Sequence, residues 1–415
     1  MGIIATRCAR LATRRDHRLS RMVRIIFVAP FGLGQKTTVW ARILPLAREL
    51  VGQGHTVSVV IPPWDTPVDA GKHWVDQGVQ VINVTLAGGL PATLARLVRQ
   101  LDVLQPQIVH IVKPRAHAGL VQWILWQRRR LRGHGPRILL DIDDWEQAWA
   151  AINHYHPLVA RFLAWQEEWG IRHADGISAA SHWLMARAQH YAPQTPVCYL
   201  PNGVLPLPDA DVAEPNSTAI PTPGDTEQVL FFSRYVEVEP AWLAEFWCAL
   251  SSLRPAAKLT IFGDPLAPAR LPLFQQIMAT ACPAAVDQVT WLAYDAALLQ
   301  TLYAQAACAI FPSSKTPLHE AKCSVRLATT LLHGVPVVAS AVGEQAYYGA
   351  AGAAHLVPAD ATPLEFGNAV AQVLTTPLLR TDLRERAQQH LLETYKWETL
   401  GTQLGNFYAQ AVSGF

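Results

Sequence analysis

The chain has 415 residues, with 34 Lys+Arg against 32 Asp+Glu and a net charge of +2, so it offers no diffuse charge for a nucleic acid to exploit. Half of the residues are hydrophobic and 16% are charged, against roughly 25% in an ordinary globular protein. Even so, no uninterrupted apolar run reaches the ~18 residues that span a bilayer, which argues against an integral membrane protein; the charge-free stretch Ala296 to Ser314 is broken by Gln300, Thr301 and Gln305.

At about 150 residues per domain the length implies two or three domains, each able to bury a core without staples. The six cysteines (Cys8, Cys198, Cys248, Cys282, Cys308, Cys323) form no CxxC pair and no Cys/His cluster at zinc spacing, as expected of reduced thiols in a cytoplasmic protein. Residues 1–21 read as a basic disordered lead without the apolar core of a secretory signal. Because Met22 directly precedes the first strand-like run, a start at Met22 explains the lead as well as targeting or phosphate binding does.

A first domain is expected over 22–204. VRIIFVAP (23–30) is apolar and β-branched, the pattern of a strand buried on both faces of a parallel sheet. The loop FGLGQKTT follows, then a helix whose apolar positions Ile43, Leu46, Ala47 and Leu50 stop at Gly52 and Gly54. TVSVVIPP closes a βαβ unit, and VQVINVTL, QPQIVHIV, PRILLDID and DGISAAS continue the strands. Residues 205–228 read as a linker, with five prolines between Gly203 and Gln228. The alternation restarts in a second domain, 229–377, with VLFFSR, KLTIFGD, QVTWLA, ACAIFPSS and GVPVVAS, and a helical tail occupies 378–415 with the option of returning to the first domain. The fold class is therefore α/β, two Rossmann-like doubly wound domains facing each other across a cleft, where open α/β sheets bind ligands at their carboxyl ends.

Several residues are placed for chemistry. Gly32 and Gly34 would let backbone amides approach a phosphate at a helix N-terminus, although no GxGxxG is completed and a bare turn is the alternative. Asp141, Asp143 and Asp144 end a strand at the cleft; His110 lies inside an apolar strand, where a satisfied core histidine competes with a catalytic one. Arg234 ends VLFFSR, where a guanidinium can grip phosphate through two N–H groups. Trp123 to Arg137 joins aromatic and basic residues as interfacial helices do, against the alternative of tryptophans packed inward.

The ordered series FVAPFGLG, PLARELVGQGHTVSVV, PQIVHIVKP, HADGISAASHWL, YLPNGV, FFSR, LTIFGD and FPSS through SVRLATTLLHGVPVVASAVGE resembles the retaining glycosyltransferases of the GT-B fold, family 4 in particular, from Met22 to the C-terminus. That resemblance implies a hexosyltransferase moving sugar from a nucleoside diphosphate sugar to a hydroxyl of a carbohydrate or lipid-linked acceptor, with retention, without a metal or other cofactor. It implies a cytoplasmic location, with peripheral contact at the inner membrane face left open. It assigns donor binding to Gly32, Gly34, Asn202, Arg234, Gly263, Arg326 and Thr329, and a catalytic or orienting role to Asp143, with Asp141 and His110 as further candidates.

The sequence departs from the family twice: Glu239 stands where relatives carry a lysine, and Thr329 where they carry the glutamate expected to hold the donor ribose. A threonine cannot clamp a diol through two oxygens. A catalytically weakened sugar-binding or partner subunit is accordingly the alternative, and an epimerase or phosphorylase a third reading.

Overall fold

The computed structural model describes residues 22–34, 37–207 and 227–413. The basic lead and most of the proline-rich linker lie outside them. Two parallel sheets dominate. The first is built from β1 (Arg24–Val28), β2 (Thr56–Ile61), β3 (His73–Asp76), β4 (Val79–Asn83), β5 (Ile108–Val112), β6 (Arg137–Ile142), β7 (Gly176–Ala179) and β8 (Val197–Tyr199). Their order is β3-β4-β2-β1-β5-β6-β7-β8, with only β3 antiparallel. The second contains β9 (Gln228–Phe232), β10 (Lys258–Phe262), β11 (Val289–Leu292), β12 (Cys308–Phe311), β13 (Val337–Ser340) and β14 (His355–Val357), in the order β11-β10-β9-β12-β13-β14.

Both sheets bury both faces, because strand side chains alternate sides. In β1, Ile25 and Phe27 join one apolar cluster while Ile26 and Val28 join the other. In β9, Val229 and Phe231 divide from Leu230 and Phe232 in the same way. The helix Leu44–Gly52 buries Leu46, Ala47 and Leu50 on its inner stripe, after a π-helical turn, Val39–Ile43.

The tail divides. Helix Pro377–Thr394 packs Leu383, Ala387 and Leu391 on the second domain. The last helix, Trp397–Ser413, lies on the first, where Trp397, Leu400, Leu404, Phe407 and Tyr408 complete its core. At this crossing the Val204 amide donates to the Tyr395 carbonyl and the Val204 carbonyl accepts from the Trp397 amide.

Strand order reverses beside β1, between β2 and β5, and beside β9, between β10 and β12. At such switch points the loops leave in opposite directions and open a crevice. The loops after β1 and β5, and those after β9 and β12, therefore carry the site.

Candidate functional site

Each switch point holds a non-glycine residue in the left-handed region, Lys113 (φ 58°) after β5 and Tyr235 (φ 61°) after β9. Such conformations cost energy and cluster where a loop is shaped for a ligand. On the first domain, the Gly32 amide donates to Asp65 at 2.6 Å. A side chain at position 32 would collide with Thr66. Beyond the loop, Thr38 donates to Asp143 Oδ2 at 3.0 Å, and Lys113 Nζ meets Asp143 Oδ1 and Glu146 Oε1, each at 2.9 Å. Arg115 also pairs with Glu146. Asp143 and Glu146 are thus paired with cationic side chains. Among the described residues no group of three His, Cys, Asp or Glu is arranged to hold a metal ion.

On the second domain, the loop after β9 wraps around Glu237. Its carboxylate accepts from Ser233 Oγ at 2.8 Å, from the amides of Arg234 and Val236, and from Arg326 Nη2 at 2.7 Å. Arg326 also donates to the Phe232 carbonyl at 2.9 Å and lies over its ring. Ser324 caps the helix that carries Arg326, accepting from the Leu327 amide. Burial alone would raise the Glu237 pKa, but Arg326 and Lys322 hold it well below the usual carboxylate range.

Lys322 lies over the Trp149 ring of the facing domain, 5.0 Å from its centroid. Burial lowers its pKa, and the attraction of Glu237 and Asp144 offsets only part of that effect against repulsion from Arg326 and Arg234. Neither Lys322 nor Arg234 forms a salt bridge with a described residue. Three cations therefore gather about one carboxylate, which accepts a hydrogen bond from Arg326, and Lys322 is also attracted by Asp144 of the facing domain. Half-buried Lys322 and exposed Arg234, both left without a salt-bridge partner, favour an anionic ligand.

The profile of the Glycosyl transferase 4-like domain matches residues 37–203, and that of Glycosyl transferases group 1 matches residues 226–376. The chain belongs to the group 1 glycosyltransferases. Among solved structures it is similar to a sucrose-phosphate synthase from Thermosynechococcus elongatus at 17% identity, covering 95% of this chain and 100% of that one with a TM-score of 0.70. It is also similar to HepE from Anabaena in complex with UDP-glucose (14% identity, 94% and 100% covered, TM-score 0.64). WaaG, a glycosyltransferase involved in lipopolysaccharide biosynthesis, aligns at 16% identity over 94% and 100%, with a TM-score of 0.60. No curated protein sequence matches. The two facing Rossmann-like domains are those of the GT-B glycosyltransferases.

The candidate residues of this glycosyltransferase fall into distinct settings. Arg234 and Arg326 meet around Glu237, and Gly263 supports them from β10. At φ 131° a Gly263 Cβ would collide with the Ser233 carbonyl. Gly263→Ala is therefore expected to push the loop after β9 away from β10 and lower thermal stability by about 2 kcal/mol or more; an unchanged melting temperature would contradict this.

Asp143 borders the cleft, whereas Asp141 is completely buried. Both Asp141 oxygens are taken by Arg42, at 2.7 and 2.9 Å, and Ser178 donates to one of them at 2.5 Å. His110 is enclosed between Phe27, Ser178 and Tyr408, with the Tyr408 hydroxyl 2.6 Å from Nδ1. Burial pushes its pKa down to about 4. Asp141 and His110 thus lie within the first domain, beneath its last helix. Asn202 fastens the domains: its amide and Nδ2 donate to Cys323, Arg42 donates to its Oδ1, and Tyr348 donates to its carbonyl. Thr329 turns its hydroxyl onto the Val325 carbonyl at 2.8 Å.

Two residues the sequence reading missed are Glu237 and Lys322. Glu239, the departure it did notice, stands just before helix Pro240–Leu253 with its side chain 78% exposed and 3.9 Å from Arg270. Its one salt bridge among the described residues is to Arg270. Glu239→Lys is therefore expected to leave nucleotide affinity within about twofold, since a charge so exposed to solvent is screened; a tenfold gain on titration would overturn this expectation.

Proposed function

We propose that the protein transfers a sugar, a hexose in the leading reading, from a nucleoside diphosphate sugar to an acceptor hydroxyl with retention at the anomeric carbon. The observation that carries the reading is the gathering of Arg234, Lys322 and Arg326 at the switch point of the second sheet, with direct compensation from Glu237 alone. Arg234 and Lys322 would meet the diphosphate. Arg326, held by Glu237 and Phe232, would supply a fixed positive field, the preorganised kind that stabilises charge growing on a leaving group. The Gly34 backbone would approach the sugar from the facing domain, the Gly32 amide expected to do so being already taken by Asp65, and Asp143, held by Thr38 and Lys113, would orient the acceptor or the sugar. Two similar structures of HepE from Anabaena hold UDP-glucose and UDP, which supports a uridine donor as the first to be tried. No part of this account requires a metal.

Thr329 favours a second reading, a weakened partner subunit, because its hydroxyl is already satisfied within the helix. Incubation with UDP-glucose and other nucleotide sugars separates the two. The enzyme releases nucleoside diphosphate in step with a product whose anomeric configuration, read by NMR, matches that of the donor. Tight nucleotide binding without turnover would support the partner subunit, and an inverted product would exclude retention.

A further inference from the structure

The sequence leaves Trp123 to Arg137 open between an interfacial segment and a helix with its tryptophans packed inward; in the structure a second helix extends the same face. Helix Pro157–Arg172 leaves Leu158 69%, Val159 46%, Phe162 41% and Trp165 43% exposed. Phe162 stacks on Trp165 with centroids 5.8 Å apart, Trp165 lies 6.1 Å from Trp169, and Trp169 meets Trp126 of the neighbouring helix Ala116–Arg132 at 5.7 Å. Trp123 extends the face and is itself 39% exposed. The rings form an unbroken ladder across two helices. It is much more apolar than isolated exposed side chains, which need no explanation.

Charge narrows what could cover it. Helix Ala116–Arg132 contains Arg128, Arg129, Arg130 and Arg132 and no acid, while helix Pro157–Arg172 adds Arg161 and Arg172 against Glu167 and Glu168. Arg128, Arg129 and Arg172 are paired with Asp102, Asp175 and Glu168. Arg130, Arg132 and Arg161 form no salt bridge with a described residue, and the Arg130 guanidinium lies over the Trp126 ring at 5.5 Å. Tryptophan and phenylalanine beside unneutralised guanidinium groups suit the boundary between acyl chains and anionic headgroups. Among the described residues no helix is long and apolar enough to cross a membrane. Contact would therefore be along the surface.

We infer that this two-helix face docks the protein on an anionic lipid surface. Both helices start at the carboxyl edge of the first sheet, so Leu158 and Phe162 lie toward the cleft and Arg130 and Arg172 toward the opposite edge. An acceptor hydroxyl carried by a lipid would arrive beside Asp143. The inference does not depend on the sugar-transfer reading, because vesicle binding and nucleotide binding are measured separately.

The test is sedimentation of the full chain with vesicles of phosphatidylglycerol and phosphatidylcholine, or of phosphatidylcholine alone, at low and raised NaCl. The protein is expected to sediment only with phosphatidylglycerol and to be released by salt. Phe162→Ser with Trp165→Ser, or Arg130→Glu with Arg161→Glu, should lower the partition coefficient at least about tenfold. All four positions are at the surface, so melting temperature and nucleotide titration should be unchanged and exclude misfolding. The inference is overturned if the unaltered protein stays in the supernatant at low salt, or if either double variant sediments equally well. It is also overturned if the face instead mediates a concentration-dependent dimer that the Phe162/Trp165 variant abolishes.

Discussion

Lys322→Ala is expected to weaken nucleoside diphosphate binding by roughly ten- to a hundredfold. A hydrogen bond from a charged donor contributes about 1.5–3 kcal/mol, and 1.4 kcal/mol is a factor of ten. The ammonium is positioned against Trp149 and repelled by Arg326 and Arg234, so it gains an anionic partner at little cost in side-chain freedom. Its lowered pKa in the empty site adds a pH signature. A diphosphate stabilises the charged form and raises that pKa, so affinity falls as pH climbs through the empty-site value. The slope should vanish in both Lys322→Ala and Lys322→Arg, whereas the affinity should return in part in Lys322→Arg, whose guanidinium stays charged throughout. Equal affinity and equal pH dependence in the alanine variant would show that Lys322 faces no phosphate.

Arg42→Ala should destabilise the first domain by about 3–5 kcal/mol, the penalty for stranding a buried carboxylate. Side-chain exposures of Arg42 and Asp141 are 2% and 1%, and Arg42 also donates to the carbonyls of Leu200 and Pro201 and to Asn202 Oδ1. The loss reaches the seam between the domains. Burial by itself would raise the Asp141 pKa, but Arg42 holds it below its ordinary value. The pair's contribution is therefore present above the unfolded carboxyl pKa of about 3.9 and lost as pH falls through the lower folded value. Without Arg42 the carboxyl pKa rises, so the variant should gain stability relative to neutral pH on mild acidification. Calorimetric melting checks both, with an expected drop on the order of 10 °C. Arg42→Met with Asp141→Leu should recover part of it.

The strands that fix the switch points were legible because each is a short apolar run bounded by loop residues. VRIIFV, IVHIV, VLFF and CAIF became β1, β5, β9 and β12. β3 escaped notice because HWVD is an exposed antiparallel edge without alternating burial, and β14 because it is only three residues long. Arg234 and Arg326 could be found at strand and helix ends. Asp141 and Asp143 could not be told apart by sequence: they share one segment, but Asp141 is still within β6 and is held by Arg42 inside the domain, whereas Asp143 lies past the end of the strand in the loop at the cleft. Glu237 and Lys322 carried no local signal. Their juxtaposition arises when the loops after β9 and β12 meet across a strand crossover, so Lys322 lies far in sequence from the carboxylate it faces.

The central claim is that the cations around Glu237 form a diphosphate site. Calorimetric titration of the protein with UDP, GDP, ADP and dTDP tests it most directly, repeated with Arg234→Ala, Lys322→Ala and Glu239→Lys. The account predicts saturable binding of at least one nucleotide, weakened by both alanine substitutions and unaffected at Glu239. Binding of none, or binding that survives the loss of Arg234 and Lys322 undiminished, would contradict it.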